Sequence, residues 1–412
     1  MTTGVTSHQK GSTHGLRLHR IVVFNAERRK ANNKQTGRES PHLETIREAW
    51  RKNLEVPFYG ITHDGKRKEG LYQLRDEGAP TKMMVEAARS VLKSLSPSEK
   101  TDTVHDLDSE TWRRWSNPEF VLHKCGVRLE DLEEPKTEAI ISLLKQSLSP
   151  GGFAKVRGAM KVNKFLGEIC GKEVILNEHS YSFTLFGVPS ETEPWGYMLF
   201  GHHLCLNVFI ARRQMVIGPV FIGAEPNTID EGPDKGLTLC ANEGQLGRQL
   251  MQSLPPKLQQ AAQIYPQMKD PAMQEGRWNR ADQRHMTGAF QDNCVIPYEG
   301  VVVTDMPEEQ QILIMAIVHE FLALWPSEPL RHRLKQILKH LTETHFCWIG
   351  GFGPDDPFYY RIQSPVALFE FDHHSGVFLT NEEPAKYHIH TIQRLPNGND
   401  YGRQLRELLR PR

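Results

Sequence analysis

A chain of 412 residues with 50 basic and 50 acidic side chains and 38% hydrophobic residues has no overall field to draw in nucleic acid or an anionic membrane. It also carries too much apolar material to stay unfolded along its whole length. No run approaches the roughly 18 uninterrupted apolar residues of a membrane-crossing helix. The six cysteines, Cys125, Cys170, Cys205, Cys240, Cys294 and Cys347, stand at least 35 residues apart with no CxxC pair. That spacing, with no apolar leader at the start, predicts reduced thiols in a cytoplasmic protein.

Residues 1–38 hold eight Lys/Arg and one Glu, and residues 1–40 are too polar to repay their ordering entropy, which predicts a disordered basic tail. Ser40-Pro41 supplies an N-cap and a first helical position, with Leu43, Ile46 and Trp50 following at helical spacing. A second helix is predicted from Thr81, with Met84, Ala87, Ala88, Val91, Leu92 and Leu95 on one stripe, ending near Pro97. Trp112 and Trp115, also at helical spacing, predict core packing. Further helices are expected over 136–148 and 153–168.

From Tyr181 the period changes from about 3.6 to 2. YSFTLFGV, GYMLFGHHLCLNVFIA and QMVIGPVFIG are rich in β-branched and aromatic residues and are separated by Gly/Pro breaks, which predicts strands. Residues 225–236 read as a surface loop, and helical spacing returns over about 239–264. A short strand at 301–303 precedes two helices, from Met306-Pro307 to Leu324 and from Pro329 to about Thr344. FYYRI, VALFEF and YHIHTIQR close the chain as strands. The two β-rich blocks gain most by sharing one core, so the expectation is an α+β fold with a mixed or antiparallel sheet flanked by helices. As one domain it spans 41–412, helical over 41–175 and sheet-forming over 176–412.

Histidine carries the chemical signal. Six of the nineteen sit in strand-like blocks: His202 and His203 in GHHLCLN, His373 and His374 in EFDHHSG, and His388 and His390 in YHIHTIQR. Strand parity puts His388, His390 and Arg394 on one face, and Glu370 with Asp372 on one face of the preceding strand. If those strands pair, a carboxylate meets two imidazoles, a two-His, one-carboxylate set suited to Zn²⁺ or Fe²⁺. The expected ligands are His388, His390 and Glu370, with His203 fourth and His202 its alternative. His203 is preferred because it shares a face with Cys205 and Asn207, whereas His202 faces the way of Leu204, Leu206 and Val208. Asp372 and Arg394 complete the catalytic set, Arg394 to fork onto a substrate carboxylate or phosphate. The bland reading is a polar core of hydrogen-bonded histidines. His319-Glu320 lacks the second histidine of HExxH, and GGFGPDD at 350–356 has the glycines of a phosphate loop without its strand-to-helix setting, so it reads as a turn.

Six segments together, FYGITHDGKRKEGLY, ETWRRWSNPEF, SLSPGGF, LFGVPSETEPWGYMLFGHHLCLNVFI, HMTGAFQDNCVIPYEGV and YHIHTIQRLPNGNDYG, resemble the domain-of-unknown-function 3500 family over about 57–402. The resemblance implies no reaction. It marks His202, His203, Glu370, His388, His390, Arg394, Asp400 and Tyr401 as motif residues. The chain departs from the family pattern in a longer basic N-terminus and an inserted FDHHSGVFLTNEEPAK stretch, so the resemblance carries over no ligand role for His373 and His374. Residues and resemblance together lead to the expectation of a metal-dependent enzyme acting on a small molecule, with hydrolysis favoured over dioxygen chemistry. Nucleic acid and membrane are not expected partners. The competing expectation is a non-catalytic ligand-binding or scaffold protein.

Overall fold

The computed structural model describes residues 41–117, 125–279, 281–376, 378–379 and 381–410; the predicted tail over 1–40 lies outside them. Ten α-helices are present among the described residues: α1 (Pro41–Glu55), α2 (Thr81–Ser94), α3 (Pro97–Thr103), α4 (Glu134–Ser147), α5 (Pro150–Cys170), α6 (Ala241–Ser253), α7 (Pro256–Ala262), α8 (Glu308–Phe321), α9 (Ser327–Leu338) and α10 (Arg403–Leu409). The strands are β1 (Val104–His105), β2 (Val127–Arg128), β3 (Tyr181–Phe186), β4 (Trp195–Gly201), β5 (Leu204–Ala211), β6 (Gln214–Ala224), β7 (Gln263–Tyr265), β8 (Val301–Val302), β9 (His345–Gly350), β10 (Phe358–Gln363), β11 (Leu368–His373) and β12 (Ile389–Arg394).

All twelve strands form one sheet, ordered β1-β3-β4-β5-β6-β12-β11-β10-β9-β7, with β2 on β3 and β8 on β9. The fold is α+β, as expected. The central eight strands are antiparallel, and β1 and β7 add parallel edges. The two β-rich blocks meet where β12 pairs antiparallel with β6, Ile392 opposite Phe221 and His390 opposite Gly223. The two blocks thus share one sheet, as expected, although 164 residues separate β6 from β12 in the sequence.

Alternation along each strand makes the two faces chemically unlike. Tyr197, Leu199, Leu206, Val208, Ile222, Phe358, Tyr360, Phe369, Phe371 and Ile389 point to one face, into the main core with Met84, Val91, Leu144, Met160, Leu250 and Ile314 of the helices. On α6 the absence of a side chain at Gly247 is required, because a Cβ there would stand 2.4 Å from the Tyr360 ring. The opposite face carries His203, Cys205, Asn207, Glu370, Asp372, His390 and Arg394 between apolar residues such as Phe209, Phe221 and Ile392. Trp112 covers it on one side, its ring stacked 3.8 Å from that of Phe186. The segment 266–297, with no long element of its own, covers the other. Polar groups on such a face are buried only if partners reach them, and an irregular segment supplies backbone donors that a helix flank cannot.

Local expectations differ from the structure in a few places. GYMLFGHHLCLNVFIA is a hairpin, since His202 and His203 form a two-residue turn between Gly201 and Leu204. The helix expected over 239–264 breaks at Leu254-Pro255, because proline at 255 and 256 removes the donors a continuing helix needs. The helix expected to reach Thr344 ends at Leu338, followed by one 3₁₀ turn. His345–Gly350, unassigned from sequence, is strand β9. GGFGPDD is the turn joining β9 to β10. All six cysteines are free thiols, five of them buried. No helix among the described residues is long and apolar enough to cross a membrane.

Candidate metal centre

Three imidazoles meet over the junction of the two strand blocks. His390 lies on β12, His388 just before it, and His203 at the end of the β4–β5 turn. His203 adopts φ +60°, a left-handed conformation unusual for a residue with a side chain. His390 Nε2 lies 3.0 Å from His388 Nε2 and 3.1 Å from His203 Nε2. Room for the rings comes from Gly223, since a Cβ there would stand 2.8 Å from the His203 ring and 3.0 Å from that of His390. All three histidines are buried, at 2–3% exposure. Burial holds each of them below the ordinary imidazole range, His203 and His390 well below it, and neighbouring imidazoles push those two further down. They are therefore neutral at pH 7, the form in which an imidazole can ligate a metal.

The three nitrogens frustrate one another as hydrogen-bonding groups. A neutral imidazole nitrogen offers one in-plane lone pair or one proton, so His390 Nε2 makes a well-aligned bond to one neighbour and not to both. His203 Nδ1 has no partner, and neither has His388 Nδ1, which lies 3.7 Å from Glu225 Oε1. A cation at the common focus resolves the conflict. With metal–nitrogen bonds of about 2.0–2.1 Å, ligand nitrogens stand roughly 2.9–3.4 Å apart for angles between 90° and tetrahedral. Glu225, whose Oε1 accepts from the Leu379 backbone at 3.1 Å, is the carboxylate that faces the outer nitrogen of His388.

A second group adjoins the first. His285, from the covering segment, joins Asp372 at the end of β11 and His374 just after it, their ligand atoms within 4.8 Å of one another. The rings of His374 and His390 are 3.8 Å apart between centroids.

The model of the family described as Protein of unknown function (DUF3500) matches residues 77–403, which include every side chain named in both groups. The chain belongs to that family. No curated protein and no solved structure matches it.

Register decides which of the expected residues of this DUF3500 chain come together. β11 and β12 do pair, with Asp372 opposite His390 and Glu370 opposite Ile392, one step further from the histidines. Glu370 instead accepts from the backbone of Met286 (2.9 Å) and Thr287 (3.0 Å), from the Thr287 hydroxyl and from the Tyr359 hydroxyl (2.7 Å). Burial alone would raise its pKa, but His285, Arg361 and these donors outweigh it and hold the carboxyl below its ordinary range. Its lone pairs are thus occupied in anchoring the segment that carries His285. Glu370→Gln should cost about 2–4 kcal/mol, since an amide offers one acceptor where four donors converge. Metal bound by the three-histidine group should persist, so equilibrium unfolding and metal content measured on one preparation check both halves.

His202 turns to the helical face, where its Nδ1 lies 2.9 Å from Asn163 Oδ1 of α5, and burial drives its pKa down to about 3. His373 faces the same way and accepts from the Phe358 backbone at 3.0 Å. Arg394 is fully buried. Its Nε donates to Asp400 (2.8 Å), one terminal nitrogen to the Thr287 carbonyl (2.8 Å) and the other to Asp292 (2.6 Å). All three nitrogens are spent within the protein, so the substrate fork expected of Arg394 has no free edge. Asp372 is held by Arg284 through a two-pronged pair at 2.6 and 3.0 Å. Sequence reasoning missed Arg284, His285, Gly223 and Glu225. His285 opens one of the segments carrying the family resemblance, but no spacing rule ties a lone histidine in an irregular stretch to strands that begin 83 and 104 residues later.

Proposed function

We propose that this protein is a metal-dependent enzyme acting on a small molecule, with the ion held by His203, His388 and His390. The observation that carries the reading is the His390 nitrogen, within 3.1 Å of two other imidazole nitrogens, an arrangement that three neutral ligands adopt around a cation. Three neutral donors leave the full +2 charge on the ion. That favours lowering the pKa of a bound water, and so hydrolysis, over the dioxygen chemistry associated with two histidines and a carboxylate. In this reading the chain's own groups bind and orient. Glu225 sets a carboxylate 3.7 Å from the outer nitrogen of His388, and Gly223 keeps His203 and His390 close enough to share one ion. Zn²⁺ and Fe²⁺ both suit the donors.

Burial of all three rings favours a second reading, in which the ion only stabilises the fold of a binding or scaffold protein. The full chain, stripped and reloaded with Zn²⁺ or Fe²⁺, separates them when assayed against ester, amide and phosphoester panels and for oxygen uptake. Metal-dependent hydrolysis lost in His388→Ala supports the enzyme reading. One bound equivalent with no turnover on any panel supports the structural one, and less than about a tenth of an equivalent ends both.

A further inference from the structure

We propose that His285, Asp372 and His374 form a second divalent-cation site of different donor chemistry, so that the protein holds a two-metal centre built across β11, β12 and the segment over 266–297. This rests on the reading of the three-histidine group as a metal site and extends it.

His285 is 2% exposed, and neither of its ring nitrogens makes a well-aligned hydrogen bond, although the ring approaches the His390 backbone. A buried imidazole with no well-aligned partner forfeits the hydrogen bonds it makes in water. His374 Nε2 is likewise unpartnered, although it stands 3.0 Å from Asp372 Oδ2. Two groups so close without donor–acceptor alignment are free to face one cation, and the Asp372, His374 and His285 atoms lie within 4.8 Å of one another. The outer edge of Asp372 is fixed by Arg284, which also donates to the His373 carbonyl at 2.7 Å and the Gln283 side chain at 2.8 Å. Oriented in this way, the carboxylate keeps its remaining lone pairs for the side facing the two histidines. The segment bringing in His285 is locked by the three donors that it sends to Glu370, so the ligand arrives on a rigid support.

Donor types distinguish the two sites. Two imidazoles and a carboxylate are harder than three imidazoles and leave a bound cation with net charge +1, a set that suits Fe²⁺, Mn²⁺ or Zn²⁺. The groups share a wall, since the His374 ring lies against that of His390 and the His285 and His390 centroids are 6.2 Å apart. Paired cations at such a junction can hold the attacking and the leaving oxygen of one displacement, which points to esters of phosphoric or carboxylic acids as the substrate class.

The test is metal stoichiometry on the full chain, stripped with chelator and titrated with Zn²⁺ and, in parallel, with Co²⁺, whose visible spectrum reports coordination. Wild type is expected to take up two equivalents and His285→Ala one, with the spectrum of the three-histidine site retained. His388→Ala is expected to lose the other equivalent. His285 is the variant of choice because its ring makes no well-aligned hydrogen bond, and His285→Gln serves as a second check on folding by circular dichroism. One equivalent in wild type that survives His285→Ala overturns the second site and leaves the first standing. One equivalent lost equally from His285→Ala and His388→Ala means a single shared ion and also overturns it. No bound metal in wild type overturns both.

Discussion

Arg394→Met is expected to destabilise the protein by about 3–5 kcal/mol, as measured by urea unfolding, because it leaves Asp400 as a buried carboxylate without its cation and Asp292 with one guanidinium partner in place of two. Both aspartates are essentially inaccessible, at 1% and 0% exposure. They sit in a connected network: Arg113 donates to Asp292 at 2.8 Å, the Tyr401 hydroxyl donates to the same carboxylate at 2.8 Å, and the Trp115 indole donates to Tyr401 at 3.0 Å. Asp400 also accepts from the Leu395 backbone at 2.8 Å. The Trp-Arg and Asp-Tyr motifs at opposite ends of the sequence are therefore one structure. Arg394→Lys should recover part of the loss, since an ammonium matches the charge and not the fork. Stability unchanged by Arg394→Met, together with a raised KM, would return Arg394 to the substrate-binding role read from the sequence.

The largest functional loss is expected from His390→Ala. His390 stands between the other two histidines of its group and packs against His374 of the neighbouring one, so its removal should drop the metal content of the three-histidine site below about a tenth of an equivalent while the far-ultraviolet circular dichroism stays native. Wild type should then lose stability on chelation. At metal one hundredfold above its dissociation constant the bound ion contributes about 2.7 kcal/mol, a shift of a few degrees in Tm. His390→Ala should show a smaller chelator effect, limited to the ion of the second group. A chelator shift of equal size in the variant and the wild type would place the stabilising ion elsewhere.

Local rules carried much of the architecture. Alternation assigned the strands because one face of each is apolar and helix-covered, and the stripe from Met84 to Leu95 is buried along α2, as its spacing requires. Parity also put His388 and His390 together, and preferred His203 to His202, because a side chain's face follows from position alone. Which residues stand opposite each other is a different matter. The β11–β12 register sets Asp372, and not Glu370, against His390, and register depends on how the whole sheet closes around its core. The meeting of β6 with β12, the arrival of Arg284 and His285 over the polar face, and the saturation of Arg394 are contacts between segments 88 to 187 residues apart. No periodicity extends that far, since such contacts exist only once burial has brought partner groups together that would each be costly to leave unpaired.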